Sequence, residues 1–147
     1  MIVVFILRNL DNTYRMSTRN TIHTTKAPNP VGPYAQAVVH GDLVYCSGQL
    51  GIDPATGALV SPEAADQTRQ CMANLQAVLE AAGSSLDHVL RTTIYITNIS
   101  DFPQVNEAYG TWLREPYPAR ATVEVSALAR GAIVEIDAIA VIRNSTP

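Results

Sequence analysis

The spacing of apolar residues along the chain predicts two amphipathic helices. After residue 61, apolar side chains recur every three or four positions, which places them on one face of a helix. Ser61 suits the N-cap, Pro62 the first turn and Gly83 the C-terminal stop, so this helix should span about residues 62–82. Asp101 should cap a second helix. Its apolar stripe comprises Val105, Ala108, Tyr109 and Trp112.

Extended runs rich in β-branched residues predict a sheet. Residues 35–40 and 43–47 are joined by Gly41 and Asp42, a pair typical of two-residue hairpin turns. Further strands are expected at residues 23–26, 89–97, 119–125 and 132–142. This order predicts an α+β fold, a two-layer α/β sandwich in which both helices cover one face of a mixed six-stranded sheet. The opposite face would then need cover, which favours self-association.

Composition narrows the class of protein. The 147 residues are 47% hydrophobic and only 16% charged, which suits one domain with part of its surface covered by another copy. The formal net charge of -3 and the single lysine, Lys26, exclude the basic stripe of a nucleic-acid-binding protein. Cys46 and Cys71 lie in apolar segments and match no metal or redox motif, which indicates free thiols in a reducing, cytoplasmic setting.

The N-terminal stretch is predicted to lie outside the fold. Residues 1–7 are apolar, but a membrane span needs about 20 apolar residues, and no signal-peptide cleavage site follows them. Met16 opens a run that is typical of a natural start. We therefore expect residues 1–15 to be an upstream extension, residues 1–20 to lie outside the fold and residues 21–147 to form a single domain.

The last two predicted strands carry the candidate chemistry. Because side chains alternate between the faces of a strand, Arg120, Thr122 and Glu124 share one face, as do Glu135 and Asp137. If residues 126–131 close a hairpin, matching the apolar faces brings the polar faces together. Arg120 then lies opposite Asp137 and Thr122 opposite Glu135, which makes Arg120 and Glu135 diagonal neighbours.

Two interpretations of this polar face stay open on the residues alone. Solvated cross-strand ion pairs need no ligand and contribute only about 0–1 kcal/mol each. Alternatively, if the face is buried between copies of the chain, Arg120 needs an anion, and a carboxylate fits its planar fork of donors.

Several motifs resemble those of the Rid family, also called the YjgF family. They are GPYAQA at residues 32–37, YCSGQLGIDPATG at residues 45–57, the segment Phe102 to Tyr109, and PARATVEV followed by VEIDAIAV. The resemblance covers roughly residues 21–142. It implies a chorismate-mutase-like fold, a homotrimer with a site in each cleft between subunits, and deamination of small imino acids without cofactor or metal.

The resemblance also implies roles for particular residues. Arg120 would bind the substrate carboxylate through two hydrogen bonds. Glu135 would orient the attacking water or move its proton, and the ring of Tyr34 would pack against the substrate. Ser47 and the backbone of Gly48 would line the pocket.

Some positions depart from the family pattern or gain no role from it. Cysteine is frequent in the family where this chain has Thr122, so pocket shape could differ there, although the expected contact is made by the main chain. Asn106 on the second helix is expected to cap or pack rather than touch substrate. The three histidines lie far apart in sequence, so no metal site is expected. They are His23, His40 and His88.

Several functions follow from this resemblance. The leading one is hydrolysis of 2-iminopropanoate and 2-iminobutanoate to 2-keto acids and ammonia, which would limit damage to pyridoxal-phosphate enzymes. A relative specialised for another enamine or amide acid, such as aminoacrylate or aminomuconate, is the second. A non-catalytic, carboxylate-binding or chaperone-like trimer is the third. RNA cleavage is disfavoured by the acidic charge balance.

Overall fold

The computed structural model describes residues 19–142, which form one mixed sheet and two α-helices. The strands are β1 (Asn20–Ile22), β2 (Ala37–His40), β3 (Leu43–Leu50), β4 (Val89–Ile96), β5 (Ala119–Glu124) and β6 (Val134–Val141); the helices are α1 (Ala64–Ala81) and α2 (Phe102–Gly110). The strand order is β1-β2-β3-β6-β4-β5, and only β4 and β5 run parallel. The predicted six-stranded α+β sandwich is confirmed.

Both helices pack on the same face of the sheet, as predicted. Helix α1 lies against β3 and β6, and α2 lies against α1. The hydroxyl of Tyr109 on α2 shares a 2.7 Å hydrogen bond with Thr92 on β4, which fixes α2 over that strand. The core between the layers is built from fully buried side chains. They include Met72, Leu75, Leu79, Ile94, Ile96 and Ile136.

The helix ends differ in detail from the expected ones. Helix α1 begins three residues after Ser61, because the Ser61 hydroxyl accepts a 3.0 Å hydrogen bond from the Glu63 amide and closes a separate turn. Gly83 adopts φ +78° and ends α1, as expected. Helix α2 ends at Gly110, so Trp112 lies beyond it, half-buried against the core.

The expected first strand at residues 23–26 is wrong. Strand β1 lies earlier, and the backbone of Thr24 is engaged by the side chain of Gln36, which accepts from the Thr24 amide at 2.7 Å and donates to its carbonyl at 3.0 Å. These hydrogen bonds occupy the backbone N–H and C=O of Thr24, which a strand at this position would use to pair with its neighbour. The hairpin of β2 and β3 around Gly41 is confirmed, with Gly41 at φ +62°. The predicted extension at residues 1–15 lies outside the described residues.

The expected hairpin between the last two strands is also wrong. Strand β5 pairs in parallel with β4 at the sheet edge, and β6 lies between β3 and β4. Arg120 therefore lies beside Thr92 rather than opposite Asp137, and Thr122 does not face Glu135. The physical reason is burial: alternate residues of β6 from Val134 to Ala140 are almost fully buried, which requires a central position under the helices.

No helix within residues 19–142 is long and apolar enough to cross a membrane.

The core packing of α1 can be tested by truncating one fully buried side chain. Replacing Leu75 by alanine leaves a cavity between α1 and the sheet, and we expect the free energy of unfolding to fall by about 2–5 kcal/mol. Urea denaturation measures this loss. The control Glu80→Ala, at an exposed position of α1, should change it by no more than about 0.5 kcal/mol. Equal effects of both variants would contradict the assignment of the core face.

Candidate active site

The candidate residues form two groups on opposite faces of the sheet. Arg120 pairs with Thr92, whose side chain points to α2, so Arg120 lies on the helix-covered face at the sheet edge. Glu135 pairs with Tyr95 on the other face. Strand β4 separates the two, so Arg120 and Glu135 do not meet within one chain. We call them the cationic half-site, around Arg120, and the acidic half-site, around Glu135.

The acidic half-site is a cavity of about 430 Å³ at one end of the open sheet face. It brings together four of the residues singled out in the sequence. They are Tyr34, Ser47, Gly48 and Glu135. Apolar walls from Val31, Leu50 and Ile52 complete it, and the Arg130 side chain borders it.

Gly48 lies directly against the Glu135 side chain. A Cβ on Gly48 would overlap the Glu135 carboxylate and lie 2.7 Å from its Cδ. This close approach follows from a register shift in the pairing of β3 with β6 between Cys46 and Gln49. Glycine is therefore required for the Glu135 side chain to lie along the floor of the cavity.

Glu135 has the electrostatic properties of a proton acceptor. Burial, followed by the negative charge of Asp137, raises the pKa of the Glu135 carboxyl above its usual range. Asp137 itself accepts hydrogen bonds from the Thr93 amide at 3.1 Å and the Tyr95 hydroxyl at 2.9 Å. Within residues 19–142 no group donates a hydrogen bond to the Glu135 carboxylate. Its oxygens can therefore receive a proton from a molecule in the cavity.

Ser47 holds the loop that carries Tyr34. The Ser47 hydroxyl donates a 2.6 Å hydrogen bond to the Ala35 carbonyl, and the Ser47 amide donates to the Gln36 carbonyl at 2.9 Å. The Tyr34 ring, 53% exposed, stands beside the cavity on this loop. Ser47 thus lines the cavity while its hydroxyl proton is used within the fold.

The cationic half-site surrounds the Arg120 guanidinium. Its Nη1 donates a 2.7 Å hydrogen bond to Asn106 Oδ1 on α2. The guanidinium carbon lies 5.3 Å from the ring centre of Tyr109 and 5.6 Å from that of Phe102. No carboxylate between residues 19 and 142 forms an ion pair with Arg120. Its positive charge is thus held in place without a counter-charge.

Thr122 lies next to Arg120 on the same face of β5. Together with Phe102 and Ile99 the two residues line an open depression of about 540 Å³. The Thr122 hydroxyl is buried and has no hydrogen-bond partner in the described part of the chain. A small polar ligand beside Arg120 could supply that partner.

The interpretation of Asn106 as a capping or packing residue is wrong. Its side chain is exposed and bonds Arg120. Phe102, Asn106 and Tyr109 follow one another at four- and three-residue spacing, so one face of α2 presents all three to the guanidinium. That spacing, read together with the nearby arginine, was the signal in the sequence.

The histidines lie outside both half-sites. His23 and His40 are exposed, and His88 Nδ1 is 2.7 Å from the Ser85 hydroxyl. Across residues 19–142, no group of three or more His, Cys, Asp or Glu side chains is arranged to hold a metal ion.

Comparison with known proteins places this arrangement in a family. A family model described as endoribonuclease L-PSP matches residues 24–142. The human 2-iminobutanoate/2-iminopropanoate deaminase is 42% identical over 123 residues, which make up 84% of this chain and 90% of the human protein. Other relatives carry the name RutC family protein.

Solved structures agree with this assignment. RidA from an Antarctic Psychrobacter species superposes with a TM-score of 0.81 at 48% identity, over 84% of this chain and 99% of that one. E. coli TdcF with bound serine superposes with a TM-score of 0.80 at 38% identity, over 83% of this chain and 98% of that one. The resemblance seen in the sequence motifs is confirmed: the chain belongs to the Rid (YjgF) family, to which the endoribonuclease L-PSP model also assigns it.

Proposed function

We propose that this protein hydrolyses 2-imino acids, 2-iminopropanoate and 2-iminobutanoate in particular, to 2-keto acids and ammonia. The observation that carries the proposal is the Arg120 guanidinium, which is held in a fixed position without a counter-charge. A substrate carboxylate would supply the counter-charge. Relatives named as deaminases for these two imines support the choice of substrate.

The site we propose is completed by a second copy of the chain. Arg120 and Glu135 lie on opposite faces of one sheet, so both can reach one small molecule only if Arg120 of one subunit meets Glu135 of the partner subunit. The open sheet face carries exposed apolar side chains, among them Tyr45 at 44% and Val123 at 40%. Covering these side chains favours association. We propose a homotrimer, with a site in each cleft between subunits.

In this site Arg120 would bind the carboxylate through two parallel hydrogen bonds, which places the adjacent imine carbon near Glu135. Glu135 would accept a proton from water as the water oxygen bonds to that carbon, and the imine nitrogen takes up a proton. The C–N bond of the resulting carbinolamine then breaks. As it breaks, the hydroxyl proton passes to the departing nitrogen, with Glu135 as the proton carrier, so ammonia leaves and the carbon keeps the oxygen as a keto group.

The remaining site residues would shape the pocket. The Tyr34 ring would pack against the substrate, while Ser47 and Gly48 would form the wall behind it. Thr122 would contribute its buried hydroxyl or its main chain beside the carboxylate. The chemistry we propose uses no cofactor and no metal, because an imine is already electrophilic and needs only water and proton transfer.

We place this activity in the cytoplasm, where it would limit damage to pyridoxal-phosphate enzymes that release reactive imines. Cys46 and Cys71 support a reducing setting, since both are free thiols. Burial raises the pKa of Cys46 to about 12 and that of Cys71 further, so neither is reactive at neutral pH.

Two alternatives can be separated from this proposal by one assay. A deaminase specialised for aminoacrylate or aminomuconate would accelerate loss of those substrates but not of the short-chain imines. A non-catalytic carboxylate-binding trimer would bind 2-oxobutanoate without accelerating any of these reactions. A chain with a net charge of -3 is poorly suited to bind RNA, so we place RNA cleavage behind the other functions. RNA cleavage by the pure protein would contradict this.

The carboxylate-binding role is tested by Arg120→Ala. We expect kcat/KM for 2-iminobutanoate to fall about 100-fold or more, because two charge-assisted hydrogen bonds of about 1.5–3 kcal/mol each are lost. Keto acid release from an imine freshly generated by a dehydratase measures the rate. Arg69→Ala, which removes an exposed arginine on α1, serves as the control and should retain wild-type activity. Normal deamination by Arg120→Ala in an oligomer of unchanged size would refute the assignment.

The proton-acceptor role of Glu135 predicts a pH dependence. Glu135 accepts a proton only when ionised, so kcat should rise with pH through its raised pKa. Asp137→Asn removes one cause of that raised pKa and should shift the rise to lower pH. Rate–pH profiles, corrected for spontaneous imine hydrolysis, measure the shift. Glu80→Gln changes the net charge equally at a remote exposed site and should leave the profile in place. An unshifted profile in Asp137→Asn would count against Glu135 as the base.

A further inference from the structure

We propose that Asn106 is a positioning residue whose neutrality matters: it fixes the Arg120 guanidinium without cancelling its charge, so the full charge remains available to a carboxylate ligand. This inference deepens the proposed function and rests on it for the identity of the substrate. It assigns a role to a residue inside the Phe102 to Tyr109 segment, to which the family resemblance gave no role.

The geometry begins with the shared face of α2. Asn106 lies between Phe102 and Tyr109 on that face, and its Oδ1 accepts the 2.7 Å hydrogen bond from Arg120 Nη1. The two rings lie 5.6 Å and 5.3 Å from the guanidinium carbon. The Tyr109 ring is itself fixed, since it is almost fully buried and its hydroxyl is bonded to Thr92. Arg120 is therefore held from one side by a rigid surface.

Each of these contacts orients the cation and leaves its charge intact. An amide oxygen and aromatic rings attract a guanidinium through dipoles and quadrupoles, whereas a carboxylate would neutralise it. Among the described residues, Asn106 is the only hydrogen-bond acceptor for the Arg120 side chain. The guanidinium has five N–H donors, so the donors needed for a bidentate carboxylate remain free.

Aspartate at position 106 would turn this arrangement into an ion pair. Its side chain has the same shape and keeps the acceptor, but its negative charge would compete with the ligand carboxylate for Arg120 and repel that carboxylate. If Asn106 serves only as an acceptor or as packing, aspartate should be the mildest substitution. If neutrality matters, aspartate should be more harmful than alanine. Comparing the loss of affinity in Asn106→Asp with that in Asn106→Ala therefore distinguishes a neutral positioning residue from a simple acceptor or packing residue.

The experiment measures the affinity for 2-oxobutanoate by calorimetry and the KM and kcat for 2-iminobutanoate, on the full-length protein. We expect Asn106→Ala to weaken 2-oxobutanoate binding about three- to tenfold, since Arg120 keeps its charge and loses its orientation. Asn106→Asp should weaken binding about tenfold more than Asn106→Ala, with KM raised more than kcat is lowered. In an Arg120→Ala background, Asn106→Asp should have a much smaller effect, because only the direct repulsion of the ligand carboxylate remains.

Gln104→Glu is the matched control. It adds the same charge to the first turn of α2, at an exposed position that Arg120 does not contact, and should leave both affinity and KM unchanged. Asn106→Asp that binds as well as or better than Asn106→Ala would overturn the inference, as would wild-type affinity in both variants. If the wild type shows no deaminase activity while the order of 2-oxobutanoate affinities holds, the proposed function fails and the role of Asn106 stands.

Discussion

The hydrogen bond from Arg120 to Asn106 is the interaction on which the rest of the site depends. An arginine at the edge of a sheet is ordinarily mobile, and its charge is screened by water. Here an amide oxygen and the rings of Phe102 and Tyr109 hold it on the surface of α2. The entropy of ordering this side chain is lost when the protein folds, before any ligand arrives. A small carboxylate can then bind through few contacts.

The sheet topology explains why one chain carries only half of each proposed site. Strand β6 occupies the centre because alternate residues along it are buried under the helices, and this forces β5 to the far edge beyond β4. Arg120 and Glu135 are thereby placed on opposite faces. Within residues 19–142, the same arrangement leaves the open face of the sheet without a covering helix. Association would thus cover apolar surface and complete the chemistry in one step.

The sequence predicts the positions of the helices and strands better than it predicts which strands pair with each other. Helical and strand periodicities are local, so both helices and most strands lie close to their predicted ranges. The pairing of β5 is decided by long-range competition: its alternation fits β6 as well as β4, and only the burial of β6 excludes the hairpin. The role of Asn106 was missed for a related reason, since it depends on how α2 packs beside β5, the next strand along the chain. Motif resemblance singled out Arg120 and Glu135 as candidates, but their separation could be seen only in the fold.

The central claim, that Arg120 of one copy acts with Glu135 of another, is tested most directly by mixing two inactive variants. Arg120→Ala and Glu135→Gln subunits are co-expressed with different tags, and the mixed oligomers are isolated through both tags. In the proposed trimer, either mixed composition would restore about a third of the sites, each with an intact arginine and an intact glutamate from neighbouring subunits. We expect deaminase activity to reappear on mixing. Mixed oligomers as inactive as either variant alone would show that no such shared site exists.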